Sequence, residues 1–180
     1  MLGLFTQSKL SSILHPMNLQ DLSITLHPAT VHFPIAFLLL ASGAGLLYLD
    51  WQPHATLRIL AWWSMRLGWL GVALAVLTGL LAQSGLPPQA PYQNVLNWHI
   101  GTGLALLVNY GWLLYQQWVY GSVRAQKARL RIGIVTHELL DDARARLWLH
   151  LLLGAGVILL FASGWNGGRL VYEWGVNVAR

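Results

Sequence analysis

LGWLGVALAVLTGLLAQSGLPPQAPYQNVLNWHIGTGLALLVNYGWLLYQQWVYGSV, residues 67–123, runs from Arg66 to Arg124 without one Asp, Glu, Lys or Arg. An ordinary soluble domain carries about 25% charged residues. The whole 180-residue chain carries 9% and is 56% hydrophobic, too little charge to cover a soluble surface. Pro87, Pro88 and Pro91 with Gly85 break the neutral run near its middle. Each remaining half matches the roughly 20 apolar residues that cross about 30 Å of hydrocarbon. The run therefore reads as two membrane spans joined by an uncharged connection.

Working outward, two further apolar stretches complete a set of four: residues 30–49, 59–82, 96–119 and 147–164. No strand alternation occurs, so the fold class is all-α: an integral membrane four-helix bundle in one domain, residues 1–180, with a C-terminal tail on the outer face. The connection between Arg124 and Arg146 is long enough for a short amphipathic helix around Arg129–Leu140.

Lys and Arg accumulate in cytoplasmic loops. Arg58, Arg66, Arg124, Lys127, Arg129, Arg131, Arg144 and Arg146 fall on one side of the spans; Lys9, Arg169 and Arg180 fall on the other. Both termini and the Pro-rich connection are thus expected to face the periplasm, in a multi-pass protein of a bacterial inner membrane. The first 25 residues lack a basic segment followed by an unbroken apolar run, so no cleaved signal peptide is expected, and the residues before Leu26 read as an irregular or amphipathic outer-face segment. The net charge of +5 belongs to loops that also hold Glu138, Asp141 and Asp142. It reads as lipid-headgroup anchoring rather than nucleic-acid binding. Trp51, Trp98, Trp118, Trp148 and Trp165 fall at span ends, where aromatic belts form; Trp62, Trp63, Trp69 and Trp112 lie deeper.

The absence of cysteine removes disulfides, thiolate metal sites, iron–sulfur clusters and covalently attached c-type haem from what this chain does alone. No Asp or Glu lies within the four stretches, and no Ser, His and carboxylate group together, so hydrolytic chemistry has no support. Histidine is the ligand-capable group left within or beside the spans. His32 and His99 lie about one turn into the first and third spans, at matching depth on two parallel helices. Two such imidazoles can each give one axial nitrogen to a haem iron. Gly101 and Gly103, near His99, leave room for a flat macrocycle, or simply allow close helix packing. His27 stands five positions before His32, roughly 140° around a helix, so the two cannot address one centre from a regular helix; it caps the helix, contacts a propionate or ligates elsewhere. His150, early in the fourth span, is a lesser candidate for a second haem, with His54 or His137 as partner.

Two stretches, His27-Pro28-Ala29-Thr30-Val31-His32-Phe33-Pro34-Ile35 and Gly164-Trp165-Asn166-Gly167-Gly168-Arg169-Leu170-Val171-Tyr172-Glu173-Trp174-Gly175-Val176-Asn177-Val178, resemble the bacterial four-helix membrane family catalogued as domain of unknown function 2231. Thr78-Gly79-Leu80 and His99 match the same pattern, so the resemblance covers nearly the whole chain. Ala82-Gln83 departs from it where an acidic residue often follows the Thr-Gly motif, and Asn177 departs where a glycine is usual. Members are often encoded near, or fused to, Rieske or c-type cytochrome domains. The resemblance therefore implies electron-transfer company, and its recurrent histidines correspond to His27, His32 and His99.

In the tail, Gly167 and Gly168 permit a tight reversal that would fold Leu170, Val171, Tyr172 and Trp174 over the outer face. Arg169 would then be available to a haem propionate. The expectation is a b-type cytochrome-like electron carrier rather than a stand-alone enzyme, with at least one non-covalent haem b near the periplasmic face and His32 and His99 as its axial ligands. Its partners would be the lipid bilayer and a periplasmic or membrane redox protein such as a c-type cytochrome or Rieske protein. The alternatives are a cofactor-free subunit or assembly factor of a redox complex, and a copper or zinc site built from His27, His32 and His99.

Overall fold

The computed structural model describes residues 19–133 and 138–176, with side chains from His27 onward. These residues are helical, with no strand among them: α1 (Leu19–Asp50), α2 (Ala55–Gln83), α3 (Gln93–Gly121), α4 (Val123–Arg131), a single 3-10 turn (Leu139–Asp141) and α5 (Arg146–Tyr172). Helices α1, α2 and α5 are long and apolar enough to cross a membrane. Helix α3 matches α2 at 29 residues, but it carries Gln93, Asn94, Asn97, His99, Asn109, Gln116 and Gln117, which lower its apolarity.

Sequence-distant contacts show how the four long helices pack. On α1 and α2, His27 sits on Gly79, Pro34 on Gly71 and Leu38 on Gly68. Residue numbers rise on one helix as they fall on the other, so the pair is antiparallel. The same holds for α3 and α5, where the His99 ring bonds Ser163 O at 3.0 Å and Asn109 bonds Leu152 O at 3.1 Å. Helix α2 meets α3 through Trp69 Nε1–H to Leu107 O at 2.9 Å, and α5 meets α1 where Gly45 faces Leu153. Each long helix therefore has two of the others as neighbours.

Small residues set the closeness of this packing. Ala61, Gly68, Ala75 and Ala82 recur every seventh position on α2 and are buried. A Cβ at Gly68 would stand 2.6 Å from Leu38 Cδ2 and 3.1 Å from its backbone nitrogen. Association inside lipid relies on such backbone approach, because tails and side chains are equally apolar. Between the pairs, Leu38, Met65, Tyr110, Leu113, Leu149 and Leu153 are fully enclosed. One buried hydrogen bond crosses them, Ser42 Oγ to Tyr110 Oη at 2.8 Å.

Several expectations change. Helix α1 begins before His27 and passes through Pro28 and Pro34, so His27 is a helical residue and not one just outside. The helix in the third connection is α4, earlier than Arg129–Leu140; residues 134–137 of that stretch, His137 included, lie outside the described residues. Segment 138–142, placed by sequence in a charged loop, packs against the helices. Leu139 and Leu140 are buried, and Asp141 and Asp142 accept hydrogen bonds from Tyr48 and Tyr120, because the turn closes that end of the helices. Nor does the chain reverse at Gly167-Gly168. Both glycines are helical, and α5 runs on to Tyr172. The reversal comes at Gly175, whose φ of 62° suits a residue without Cβ. Its N–H bonds Val171 O at 3.1 Å and that of Val176 bonds Leu170 O at 2.9 Å, folding Val176 onto Leu170 and Leu96. Where a C-terminal tail is expected from sequence, the described chain forms a helix end with a compact turn; residues 177–180, Asn177 among them, lie outside the described residues, as do residues 1–18.

Candidate functional site

The end of the molecule that holds the start of α1, the end of α2, the start of α3 and the end of α5 forms a partly open cavity of about 520 Å³. Its walls are mostly apolar, and three of the seven histidines, His27, His32 and His99, line it. That volume is in the range of small-molecule and cofactor sites.

His27 and His99 meet here. Their ring centroids are 6.1 Å apart and their planes 82° to one another. Both rings are half-buried and held in the same manner. His27 Nδ1 lies 3.0 Å from Ala75 O, with Thr78 Oγ1 at 3.3 Å; His99 Nδ1 lies 3.0 Å from Ser163 O. A carbonyl only accepts, so Nδ1 carries the hydrogen in each ring, which leaves the Nε2 lone pair as the ligating position of the neutral imidazole. Pinning one ring nitrogen to a backbone carbonyl is the usual way a protein fixes the tautomer and aim of a metal-binding histidine.

Glycine makes the placement possible. A Cβ at Gly79 would stand 2.9 Å from His27 Cε1, and one at Gly167 would stand 3.0 Å from His99 Cε1. Each imidazole thus lies on a bare stretch of neighbouring helix. Gly164 and Gly168 also line the cavity, and a Cβ on either would meet open space. They keep volume free where a side chain would fill it.

The residues singled out by sequence fall in different places. His32 lines the cavity but is exposed, and the ring contact is made to His99 by His27. The 140° offset between His27 and His32 explains why one ring packs toward α2 while the other does not. His150 sits at the far end with both nitrogens occupied, Nδ1 by Arg146 O at 2.7 Å and Nε2 by Asp50 Oδ1 at 2.9 Å. His54, exposed, precedes α2 without a side-chain cap bond. Arg169 is engaged by Glu173, its Nε 3.0 Å from both carboxylate oxygens. Among the described residues no group of three or more His, Asp or Glu is gathered as a metal cluster, so the three-histidine arrangement of a copper or zinc site is not assembled there.

Sequence reading gave Gly79 and Gly167 other roles, one as a motif position and one as a turn. The signal for both was spacing: each follows its helix's hydrogen-bonding partner, Ala75 or Ser163, by four residues, one turn on the same face.

The DUF2231 family model, described as a predicted membrane protein, matches residues 23–180. The chain belongs to this family. The matched region contains all four long helices from residue 23 onward, and with them every residue of the cavity described above. Among curated proteins and solved structures none matches the chain.

Proposed function

We propose that this DUF2231 protein is a four-span, b-type cytochrome-like electron carrier of a bacterial inner membrane, holding one haem b in the cavity with His27 and His99 as axial ligands. The observation that carries the reading is the pair itself: two imidazoles, each held through Nδ1 by a backbone carbonyl, with ring centroids 6.1 Å apart and planes nearly perpendicular. A metal bound at about 2.0–2.1 Å to one nitrogen of each ring separates the ring centres by roughly 6 Å. Two imidazoles alone leave a zinc or cupric ion under-coordinated, whereas haem brings four nitrogens of its own and asks the protein for two. The cavity's volume, apolar walls and bare glycine faces suit a flat macrocycle. When bound, haem would supply one-electron exchange, with His27 and His99 as the protein nitrogens that would hold it.

The membrane placement in this proposal rests on charge and aromatic position. Trp98 and Trp118, both largely exposed on α3, are about 30 Å apart along the helix at 1.5 Å per residue, the thickness of a hydrocarbon core. Trp165 accompanies Trp98 at one end and Trp51 accompanies Trp118 at the other, as interfacial belts do. Arg58, Arg124, Lys127, Arg144 and Arg146 lie at the end away from the cavity, which supports a cavity on the periplasmic side. The electron partner is then a periplasmic or membrane redox protein.

The test is an oxidised-minus-reduced absorption spectrum of protein purified from haem-replete cells, read with haem quantification. A Soret band with a sharp reduced α-band at one haem per chain is the expected result. Apoprotein that fails to take up added haem would overturn the reading.

A further inference from the structure

Helix α4 leaves the bundle at Ser122, whose extended backbone (φ −68°, ψ 145°) turns the chain away from the α3 axis and whose hydroxyl accepts from Ala125 N–H at 3.3 Å. Among the described residues the helix is tied to the end of α3 through Gln126, which donates to Gly121 O at 3.1 Å, and through Arg129. Arg129 lies over the Tyr120 ring at 3.5 Å and donates to Tyr120 O at 2.6 Å. Around the opposite side two stripes lie next to one another. Val123 and Leu130 are exposed, with Ile132 exposed just beyond the helix. Arg124, Lys127 and Arg131, spaced three and four residues apart, form the adjacent stripe. All three are exposed, and none has an ion-pair or hydrogen-bonding partner among the described residues. By contrast Arg58, Arg66, Arg129, Arg146 and Arg169 each have one.

We infer that α4 is an interfacial helix that docks on anionic phospholipid headgroups of the bilayer in which the chain sits. Three features support this occupant. The cations are unneutralised and on one face, which calls for negative charge. The flanking Val123, Leu130 and Ile132 are apolar, which calls for an acyl boundary rather than water. The helix also follows directly on Trp118, largely exposed in the last turns of α3, at the depth where headgroups begin. Each Lys or Arg near an anionic surface favours docking by about fivefold, on the order of a hundredfold for three. Docking would hold the inner end of α3 in place independently of whatever fills the cavity at the other end, so this inference stands or falls apart from the haem reading.

The test uses the full chain in nanodiscs. Because the protein has no cysteine, L130C gives a single site for an environment-sensitive fluorophore at an exposed position. In discs containing phosphatidylglycerol the label is expected to shift to the blue and to resist a water-soluble quencher; in phosphatidylcholine discs it remains accessible. The R124Q/K127Q/R131Q variant, altered only at exposed residues, should lose the difference, while R124K/K127R/R131K should keep it. Equal emission and quenching in the two bilayers, or a lipid dependence that survives the triple glutamine substitution, would overturn the inference.

Discussion

His27 and His99 lie edge to ring with centroids 6.1 Å apart and planes at 82°, one ring hung from a carbonyl of α2 and the other from a carbonyl of α5. Four helices therefore contribute to one pair: α1 and α3 carry the rings, and α2 and α5 orient them. If the pair holds haem as proposed, replacing either imidazole removes a ligand, whereas removing His32 alters only an exposed part of the cavity wall. His27→Ala and His99→Ala are each expected to abolish the six-coordinate haem spectrum, and His32→Ala to retain it. Optical spectra with haem-to-protein ratios decide this. Retention of the spectrum in the His27 variant with loss in the His32 variant would instead assign the ligands as His32 and His99.

Neighbouring glycines on α5 are expected to behave oppositely. A Cβ at Gly167 would crowd the His99 ring at 3.0 Å, while one at Gly168 meets nothing within 4 Å. Gly167→Ala must push the imidazole or the helix, and overpacking of this kind costs about 1–3 kcal/mol. Gly168→Ala faces no clash and gains up to about 1 kcal/mol of helix propensity. Thermal unfolding in detergent, followed by circular dichroism, should show a lower Tm for the first and an equal or higher Tm for the second. The same order without haem present would tie the effect to ring packing and not to the cofactor.

At the far end Asp50 Oδ1 receives His150 Nε2 at 2.9 Å and Arg146 at 3.4 Å, joining the end of α1 to the start of α5. The carboxylate is open to solvent, so ions screen what it contributes. Asp50→Asn is expected to lower Tm slightly at low salt, with the difference from wild type shrinking toward zero near molar salt. A large loss that persists at high salt would mean that the residue has a packing role that its exposure does not suggest.

The helical class and the positions of the long helices were legible because both follow from local quantities: the run of residues 67–123 without charge, and the breakers at Gly85 to Pro91. The candidate pair was only half legible. His99 stood out by depth, but choosing between His27 and His32 required knowing which face of α1 meets α2. That face is selected by Gly68, Gly71 and Gly79, whose lack of side chains admits Leu38, Pro34 and His27. Such a choice depends on the partner helix and leaves no trace in the spacing of α1 itself. The end of α5 misled for a related reason. Gly167 and Gly168 permit a reversal, yet close approach of His99 uses Gly167 inside a helix, and the turn waits for Gly175. Glycine marks either a backbone bend or a near neighbour, and only the neighbour distinguishes them.

The buried bond between Ser42 and Tyr110 carries an asymmetric prediction. Tyr110 is wholly enclosed, and a Cβ on Gly156 would collide with its hydroxyl. Removing that hydroxyl with Tyr110→Phe leaves Ser42 free to turn back to a carbonyl of its own helix, so the loss is that of one hydrogen bond, about 0.5–1.5 kcal/mol. Removing the serine hydroxyl with Ser42→Ala strands the phenol in an apolar interior and costs more, about 1–3 kcal/mol. The double variant leaves no stranded group. It should therefore unfold close to the Tyr110→Phe level, well short of the sum of the two single losses, in a double-mutant cycle of unfolding free energies. Gly156→Ala, which presses on the phenol from α5, belongs to the same unit and should lower stability in wild type more than in the Tyr110→Phe background. Additive losses across this set would show that the serine and the tyrosine act independently and that the 2.8 Å contact does not couple α1 to α3.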